Sequence, residues 1–304
     1  TGAGGGFSAS SKKTTKQLKE EGKAHAAVLR QQGVVRIDNV LPEALADEVR
    51  AFVMDLRKDS ETRVANGELK SKERFADVLL KENRCDLTMP MVSKDGITAT
   101  ALASVIQQSP VGETIASILG KDAVLYEFSC LISSPGSQRQ VMHPDTPCAP
   151  SGSNDDPVLY TCFVALQDIT MDMGPTTWLP GTHTLEAHDI FGNEATKDEL
   201  LQKGPAVLGL LPKGCCAIFD SRVLHAGTAN KGIPSDDNDK LRAVFYCSFR
   251  NPKVPNAGNP GSIRPNLINK WDLQSLDKEL KKHVKIASKG KDLSTSPFVS
   301  SSAE

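Results

Sequence analysis

The chain has 304 residues, of which 36 are basic and 37 acidic, for a formal net charge of −1. This balance gives no electrostatic reason to expect nucleic acid or an anionic membrane as a partner. No apolar run approaches the roughly 18 residues that a membrane-spanning helix needs, so a membrane protein is not expected either.

The first 120 residues are predicted to be mainly helical. Gly33 and Gly120 are typical residues for the end of a helix, and Pro42 is typical of a first turn. Together with the spacing of apolar residues, they predict three helices: 12–32, 42–58 and 98–119. Val34–Val40 predicts a strand between the first two, whereas 59–96 has no clear pattern.

From Ala123 the pattern changes to short apolar runs separated by Gly, Pro, Asn and Asp, which is typical of strands. The predicted strands are 123–133, 138–143, 158–168, 175–180, 206–211, 215–219, 223–225 and 241–249. A short helix is expected within 189–204 and another over 272–284. Helices followed by a run of strands predict an α+β fold, with a barrel core that the N-terminal helices buttress on one side.

The domain organisation predicted from these elements is a single domain over 13–285, with its barrel core at about 123–250. Residues 1–12 are expected to form a flexible arm and 286–304 a flexible tail. The first residues have neither the charged region nor the apolar core of a signal peptide. The seven cysteines are scattered and lack CxxC spacing, so reduced core thiols in an intracellular, cytoplasmic protein are expected, with a removed transit peptide left open.

The most informative stretch places His143 and Asp145 two residues apart in a run predicted to be β-structure. Side chains at positions i and i+2 of a strand point to the same face, so both could reach one metal ion. His225 offers a second imidazole further along the chain. Two histidines and one carboxylate form the facial triad of non-heme Fe(II) oxygenases, and this triad is our hypothesis for the site.

Other histidines compete for the second imidazole position. His183 and His188 follow the turn Pro180-Gly181-Thr182, although a turn histidine is more often a hydrogen-bonding staple. His25 and His283 lie in predicted helices and are expected to be exposed. The same three ligands could also serve a zinc or manganese hydrolase.

A bidentate co-substrate on such an iron would need a cation for its distal carboxylate, and the planar fork of arginine suits that task. Arg242 begins the predicted strand Ala243–Phe249. If that strand formed a hairpin with the His225 strand, Arg242 would point back toward the metal.

These motifs resemble the phytanoyl-CoA dioxygenase family, a family of Fe(II)/2-oxoglutarate oxygenases. The resemblance runs from about residue 30 to 250. It rests on four ordered motifs: Gln32–Ile37; Pro135-Gly136 with Gln140–Asp145; Gly174–His183; and Phe219-Asp220 with His225-Ala226-Gly227 and Arg242.

The resemblance implies a double-stranded β-helix (jelly-roll, cupin-like) core and Fe(II), 2-oxoglutarate and O2 as cofactor and co-substrates. It implies iron ligation by His143, Asp145 and His225, and it gives the co-substrate positions as Arg242, Gln140, Thr228 and Phe163. Gln140 could instead make an ordinary strand hydrogen bond, and Phe163 could simply pack the core. Many members have a serine where this chain has Gly227, for which Thr228 could substitute.

The implied function is oxidation of an unactivated C–H bond of a small organic substrate, with hydroxylation as the default and succinate and CO2 as co-products. Alternatives are oxidative cyclisation or desaturation of an amino-acid-derived natural product of kainoid type, hydroxylation of an acyl-CoA, and a catalytically inactive jelly-roll binding protein. Asp145 argues against halogenation, since halogenating relatives replace this carboxylate with a small residue.

The substrate itself is left open by the sequence. A carboxylate-bearing small molecule is one option, and four arginines could bind it or could equally be surface charges: Arg74, Arg84, Arg139 and Arg250. The oligomeric state also stays open, with a monomer plausible.

Overall fold

The computed structural model describes residues 13–76, 83–148, 156, 158–232, 240–254, 257–289 and 293–299. The predicted N-terminal arm, 1–12, lies outside these residues. The helices are α1 (Thr15–Gln32), α2 (Glu43–Ala65), α3 (Ile97–Ala103), α4 (Val111–Leu119), α5 (Leu185–Gly192), α6 (Lys197–Lys203) and α7 (Leu273–Ala287). The strands are β1 (Val34–Ile37), β2 (Arg84–Thr88), β3 (Val124–Ser133), β4 (Leu159–Ala165), β5 (Thr176–Trp178), β6 (Val207–Leu208), β7 (Cys216–Asp220), β8 (His225–Gly227) and β9 (Arg242–Arg250).

The described strands form two antiparallel sheets. The large sheet has six strands in the order β1-β7-β4-β9-β3-β2, and the small sheet has three in the order β6-β5-β8. Trp178 of the small sheet contacts Phe219 of the large one, with ring centroids 5.6 Å apart. This arrangement confirms the predicted α+β fold with a jelly-roll core.

Strict alternation along the large sheet separates two buried layers. Leu87, Phe128 and Phe245 lie on the outer face and belong to the core that the helices cover. Phe163 and Tyr246 lie on the inner face, in a second core inside the barrel. Because successive strand residues point to opposite faces, the outer face of this sheet is largely apolar, whereas the inner face also carries buried polar residues such as Arg84, Asp86 and Glu127.

The N-terminal helix is held against the sheet by its ends and by a close helix contact. Thr14 caps the start of α1, and Gly33 ends it with φ +73°, a conformation that glycine adopts without steric cost. Gly22 lies against α4, where a Cβ would come within 2.7 Å of the Glu113 side chain. This glycine lets the two helices approach closely, which fixes α1 on the outer layer.

Several predicted elements differ from the structure in the helical region. The single helix predicted over 98–119 is two helices, α3 and α4, separated by a π-helical turn over Ser104–Gln108. Pro110 explains the break, because proline lacks an N–H and disfavours a helical residue before it. Ser109 is accordingly extended, with ψ 170°. The stretch 59–96, which had no clear pattern, contains the end of α2 and strand β2.

Two predictions about strands are wrong. Residues 138–143 form no strand, and this extended segment is joined to β8 by the isolated bridge between His143 and His225 and by hydrogen bonds between Gln140 and Gly227. Pro144 is part of the reason, because proline cannot donate a ladder hydrogen bond. The hairpin expected between the His225 and Arg242 strands is also absent: β8 pairs with β5 in the small sheet, whereas β9 pairs with β3 and β4 in the large one.

The C-terminal end is in part packed against the domain. The sequence predicted a flexible tail from residue 286, whereas residues 293–299 lie against the helical layer. The Phe298 side chain is 1% exposed, and its carbonyl oxygen accepts a hydrogen bond from Ser93 N at 3.1 Å. Burial of a large aromatic ring is the physical reason for this difference.

Two further features concern the whole described chain. None of its helices combines the length and the apolar character needed to cross a membrane. All seven cysteines are free thiols, and six of them are buried in the core, as expected for small apolar side chains.

Candidate metal centre

His143 and His225 are brought together by a backbone pairing. His143 N donates to His225 O at 3.0 Å, and His225 N donates to His143 O at 2.9 Å. The two imidazole rings consequently lie side by side, with centroids 4.7 Å apart. His225 is the first residue of β8, so the small sheet carries this pair at the mouth of the barrel.

Asp145 completes a three-residue cluster, which we call the metal triad (His143, Asp145 and His225). The backbone N of Asp145 donates to Ser221 O at 2.8 Å, which fixes the turn after Pro144. Asp145 Oδ1 lies 3.8 Å from His143 Nε2 and 3.5 Å from His225 Nε2. One ligand atom from each residue lies within 4.8 Å of the others, and no other such cluster occurs in the described part of the chain.

The hydrogen bonds of the two rings fit a divalent metal. His143 Nδ1 lies 2.7 Å from Val141 O, and His225 Nδ1 lies 2.9 Å from Val223 O. Since a carbonyl oxygen can only accept, each Nδ1 carries a proton, which leaves each Nε2 as the ring atom that can bind a metal. Two neutral imidazoles and one carboxylate are a donor set that suits Fe(II), and three ligands leave coordination positions open.

The metal triad borders a cavity inside the barrel. Its other lining residues include Asp86, Glu127, Gln140, Phe163, Tyr246 and Ser262. Phe163 contacts Phe219 and Tyr246 edge to face, with ring centroids 5.0 and 5.4 Å apart. Phe163 therefore packs the inner core and also forms part of the cavity wall.

Gln140 and Gly227 lie together beside the triad. Gln140 N donates to Gly227 O, and Gly227 N donates to Gln140 Oε1, both at 2.8 Å. A Cβ at Gly227 would come within 2.7 Å of Gln140 Oε1 and 3.5 Å of Arg84 Nη2. The glycine that departs from the family pattern thus makes room for the side chain of Gln140, whereas the distance to Arg84 is an ordinary contact. Thr228 donates its hydroxyl to Pro175 O at 2.8 Å and is not among the cavity-lining residues.

Arg242 is 1% exposed and carries unused donors. Its Nη1 donates to Gly174 O, whereas Nε and Nη2 have no hydrogen-bond partner among the described residues. Burial and the neighbouring charge of Arg84 lower the pKa of Arg242 to about 9. A buried guanidinium with free donors is costly unless an anion pairs with it, and this favours an anionic ligand here.

Arg84 is the one predicted arginine that belongs near this position. It is buried rather than a surface charge, and its Nη2 donates to Gln138 O at 3.0 Å. Arg84 and Arg242 both pair with Ser133, from opposite sides of β3. None of the four predicted arginines is among the cavity-lining residues, but only Arg84 has a charge that acts on Arg242.

The competing histidines are structural. His183 Nε2 lies 3.1 Å from Arg30 O, and His188 Nε2 lies 2.7 Å from Arg222 O, so both rings act as staples. His283 was expected to be exposed but is 1% exposed, because its ring is held by the hydroxyl groups of Thr100 and Ser296.

Asp86 and Glu127 are cavity residues that the sequence did not reveal. Asp86 lies in the stretch without a clear pattern, and Glu127 lies in a strand that is otherwise largely apolar. Burial raises the pKa of Asp86 to about 6, because the hydrogen bonds to this carboxylate, which lower the pKa, offset the effect of burial only in part. Burial and the charge of Asp145 raise the pKa of Glu127 to about 8. An acid inside an apolar strand was the one signal that could have identified Glu127.

Comparisons with known proteins agree with this geometry. The sequence profile of the family described as phytanoyl-CoA dioxygenase (PhyH) matches residues 29–233. Among solved structures, the chain is similar to the non-heme alpha-ketoglutarate-dependent epimerase SnoN from nogalamycin biosynthesis, with 18% identity, a TM-score of 0.53, and 76% of this chain and 81% of that chain covered. It is also similar to the non-heme monooxygenase ThoJ in a nickel complex, with 19% identity, a TM-score of 0.53 and coverage of 87% and 97%.

A third similar structure is AviO1 from Streptomyces viridochromogenes Tue57, with 16% identity, a TM-score of 0.52, and 77% of this chain and 96% of that chain covered. At such identities the structural likeness shows a shared fold. The family match covers more than half of the chain and includes the whole metal triad.

Proposed function

Since this chain belongs to the phytanoyl-CoA dioxygenase (PhyH) family, we propose that it is a non-heme Fe(II)- and 2-oxoglutarate-dependent oxygenase that oxidises a C–H bond of a small organic substrate. The observation that carries the proposal is the convergence of Asp145 Oδ1 with the Nε2 atoms of His143 and His225. The metal triad would hold Fe(II). When bound, Fe(II) with 2-oxoglutarate supplies O2 activation, with succinate and CO2 as co-products.

The protein residues around the triad fix its orientation before any metal binds. The carbonyl groups of Val141 and Val223 hold the two imidazoles in the tautomer that a metal requires. The Ser221 carbonyl holds the backbone at Asp145. This preorganisation limits the entropy lost on metal binding.

Arg242 would pair with the distal carboxylate of 2-oxoglutarate. Its unused Nε and Nη2 donors support this role, and the nearby Arg84 adds a second positive charge. Gln140 lines the cavity and contacts Gly227, so it would bind the co-substrate between the arginines and the triad. Thr228 is assigned only a backbone hydrogen bond, because its hydroxyl is directed to Pro175 O.

Hydroxylation is the default reaction, and oxidative cyclisation or desaturation of an amino-acid-derived natural product is the second candidate. Hydroxylation of an acyl-CoA has less support, since the described lining of the cavity has no Lys or Arg, and the two arginines beyond it, Arg84 and Arg242, are assigned to the co-substrate. Asp145 keeps the carboxylate that halogenating relatives lack, so halogenation is not proposed.

The test is succinate formation from 2-oxoglutarate by protein supplied with Fe(II) and O2, first alone and then with a panel of small substrates. Slow succinate formation without substrate, stimulated by one panel member, is the expected result. Product mass then identifies the reaction: one added oxygen atom means hydroxylation, and loss of two hydrogen atoms means cyclisation or desaturation. Conversion of a substrate that needs neither O2 nor 2-oxoglutarate would indicate a hydrolase. The absence of any conversion would indicate an inactive binding protein.

A further inference from the structure

Two carboxylic acids lie inside the same barrel cavity as the metal triad. Asp86 is 1% exposed and Glu127 is 5% exposed, and both line the cavity wall. We call them the acid pair. Neither is a metal-triad residue, and neither has a role in the mechanism proposed above.

A β-bulge directs Glu127 into the barrel. Leu125 pairs with Phe249 of β9 and packs in the outer core, whereas Glu127 pairs with Ser248. The register shifts between Leu125 and Glu127, so Tyr126 is the extra residue. Without the bulge, Glu127 would share the face of Leu125 and enter the apolar outer layer. Bulges commonly redirect side chains next to active sites.

Neutral donors hold the acid pair in place. Asp86 Oδ2 accepts hydrogen bonds from Tyr246 Oη at 2.7 Å and from Ser262 Oγ at 2.6 Å. Glu127 Oε1 accepts from Asn259 N at 2.7 Å, and Ser248 Oγ donates to Glu127 Oε2. The two acids are therefore fixed by strand β9 and by the loop that contains Asn259 and Ser262.

No cationic side chain among the described residues forms an ion pair with Asp86 or Glu127. The described lining of the cavity has three carboxylates and neither Lys nor Arg, and the described ion pairs include neither Asp86 nor Glu127. Asp86 Oδ1 has no hydrogen-bond partner among the described residues, although it is fully buried. Ionisation of a buried carboxylic acid is costly when nothing pairs with the charge, and a cation that pairs with it removes that cost.

The charges of the barrel interior are also ordered along the strands. Arg84 and Arg242 lie on one rung with Ser133, whereas Asp86 lies two residues further along β2, on the rung of Leu131. Glu127 lies further still in the same direction along β3. The arginine end, which lies outside the cavity lining, suits an anionic carboxylate, whereas the acid end, which is part of that lining, suits a cation.

From this arrangement we propose that Asp86 and Glu127 bind a positively charged nitrogen of the primary substrate, which makes the substrate an amine or an amino acid with a basic nitrogen. This inference deepens the proposed function and rests on it for the identification of the bound molecule as a substrate. The cation would lie beside the metal triad and would orient a nearby C–H bond toward it. Charge-assisted hydrogen bonds of this kind are short and directional.

Binding can be tested with three probes of similar shape and different charge: 4-fluorobenzylamine (a cation at neutral pH), 4-fluorobenzyl alcohol and 4-fluorophenylacetate. Their affinities are measured by fluorine NMR titration of the wild-type protein with 2-oxoglutarate present, so that the arginine end is occupied. The cation should bind about tenfold or more tightly than the alcohol, because hydrogen bonds to charged groups contribute about 1.5–3 kcal/mol. Equal binding of the alcohol or the acetate, or no binding of the cation, would overturn the proposal.

Isosteric variants locate the effect. Asp86→Asn and Glu127→Gln remove the charges and keep the shape, and each should reduce the preference for the cation, with the double variant abolishing it. Glu194→Gln and Asp189→Asn, at exposed positions, are matched controls that should leave the preference unchanged. If the preference survives in the double variant, the acid pair is not the binding site. The wild-type comparison needs no variant, so a folding defect does not remove the test.

The outcome is separable from that of the proposed function. Probe binding is also measured without added metal, whereas the oxygenase proposal is tested by succinate formation. Cation-selective binding without any succinate would retain the acid pair and reject the oxygenase. Succinate formation stimulated by carboxylates or alcohols, but not by amines, would retain the oxygenase and reject the acid pair as the substrate-binding site.

Discussion

His143 and His225 exchange both of their backbone hydrogen bonds, although 81 residues separate them in the chain. This bridge, together with the hydrogen bonds between Gln140 and Gly227, links the extended segment that carries Asp145 to the small sheet. It places two ring Nε2 atoms within 3.8 Å of the same carboxylate oxygen. The metal site thus depends on a contact that is not part of any continuous strand.

Replacement of Asp145 by alanine should abolish succinate formation from 2-oxoglutarate, because two imidazoles alone would hold Fe(II) weakly. Bound iron, measured on the purified variant, should fall together with activity. Asp189→Ala, at an exposed position, is the matched control and should retain both. Unchanged turnover of the Asp145 variant in iron-replete buffer would refute the triad assignment.

Arg242→Ala should raise the 2-oxoglutarate concentration needed for half-maximal activity by about tenfold to a hundredfold, since a charge-assisted pair contributes about 1.5–3 kcal/mol. The free energy of unfolding should change little, because the loss of the hydrogen bond to Gly174 O is offset by the removal of a buried charge with unused donors. Arg139→Ala, at an exposed position, serves as the control. If the co-substrate requirement stayed constant, Arg84 would become the preferred candidate.

Gly227→Ser should impair co-substrate binding even though many relatives have serine there. The new Cβ would come within 2.7 Å of Gln140 Oε1, which would have to move. Because Gln140 Oε1 is the end of a flexible side chain, the main loss is its hydrogen bond from Gly227 N, about 0.5–1.5 kcal/mol, measurable by urea unfolding. Gly192→Ser is a fair comparison, because a Cβ there would meet nothing within 4 Å. A variant as stable and active as the wild type would show that Gln140 adapts freely.

Glu127→Gln should stabilise the protein at pH 8 and have little effect at pH 5. The pKa of Glu127 is raised to about 8 by burial and by the charge of Asp145, so the folded state holds a proton that the unfolded state has released. Stability therefore falls as pH rises from the unfolded pKa, about 4.3, through the folded pKa. Melting temperatures of the variant and wild type across this range test the prediction, with Glu194→Gln as the control. A pH-independent difference would contradict it.

Much of the fold could be predicted from residue patterns. The capping residue Gly33, the amphipathic α1 and α7, and the apolar runs of β3, β4 and β9 each follow from local chemistry. The break at Pro110 was missed because the apolar spacing continues across it. Strand partners were also beyond reach, since nothing local shows that β9 pairs with β3 and β4 rather than with β8.

The metal triad could be proposed from residue type alone, because few side chains bind iron and only six histidines were available. The acid pair could not be proposed from the sequence, in which Asp86 and Glu127 look like ordinary charged residues. The bulge at Tyr126 and the pairing of β2 with β3 direct both side chains into the same cavity.

By itself the sequence determined the chemistry that this protein can hold: two imidazoles, a carboxylate and an arginine, in a chain whose short apolar runs are typical of a β-sandwich or barrel. Only the tertiary structure decided which charges remain uncompensated inside that barrel. The physical reason is that ligand types are a property of single side chains, whereas burial and charge compensation depend on every neighbour that folding brings within a few ångströms.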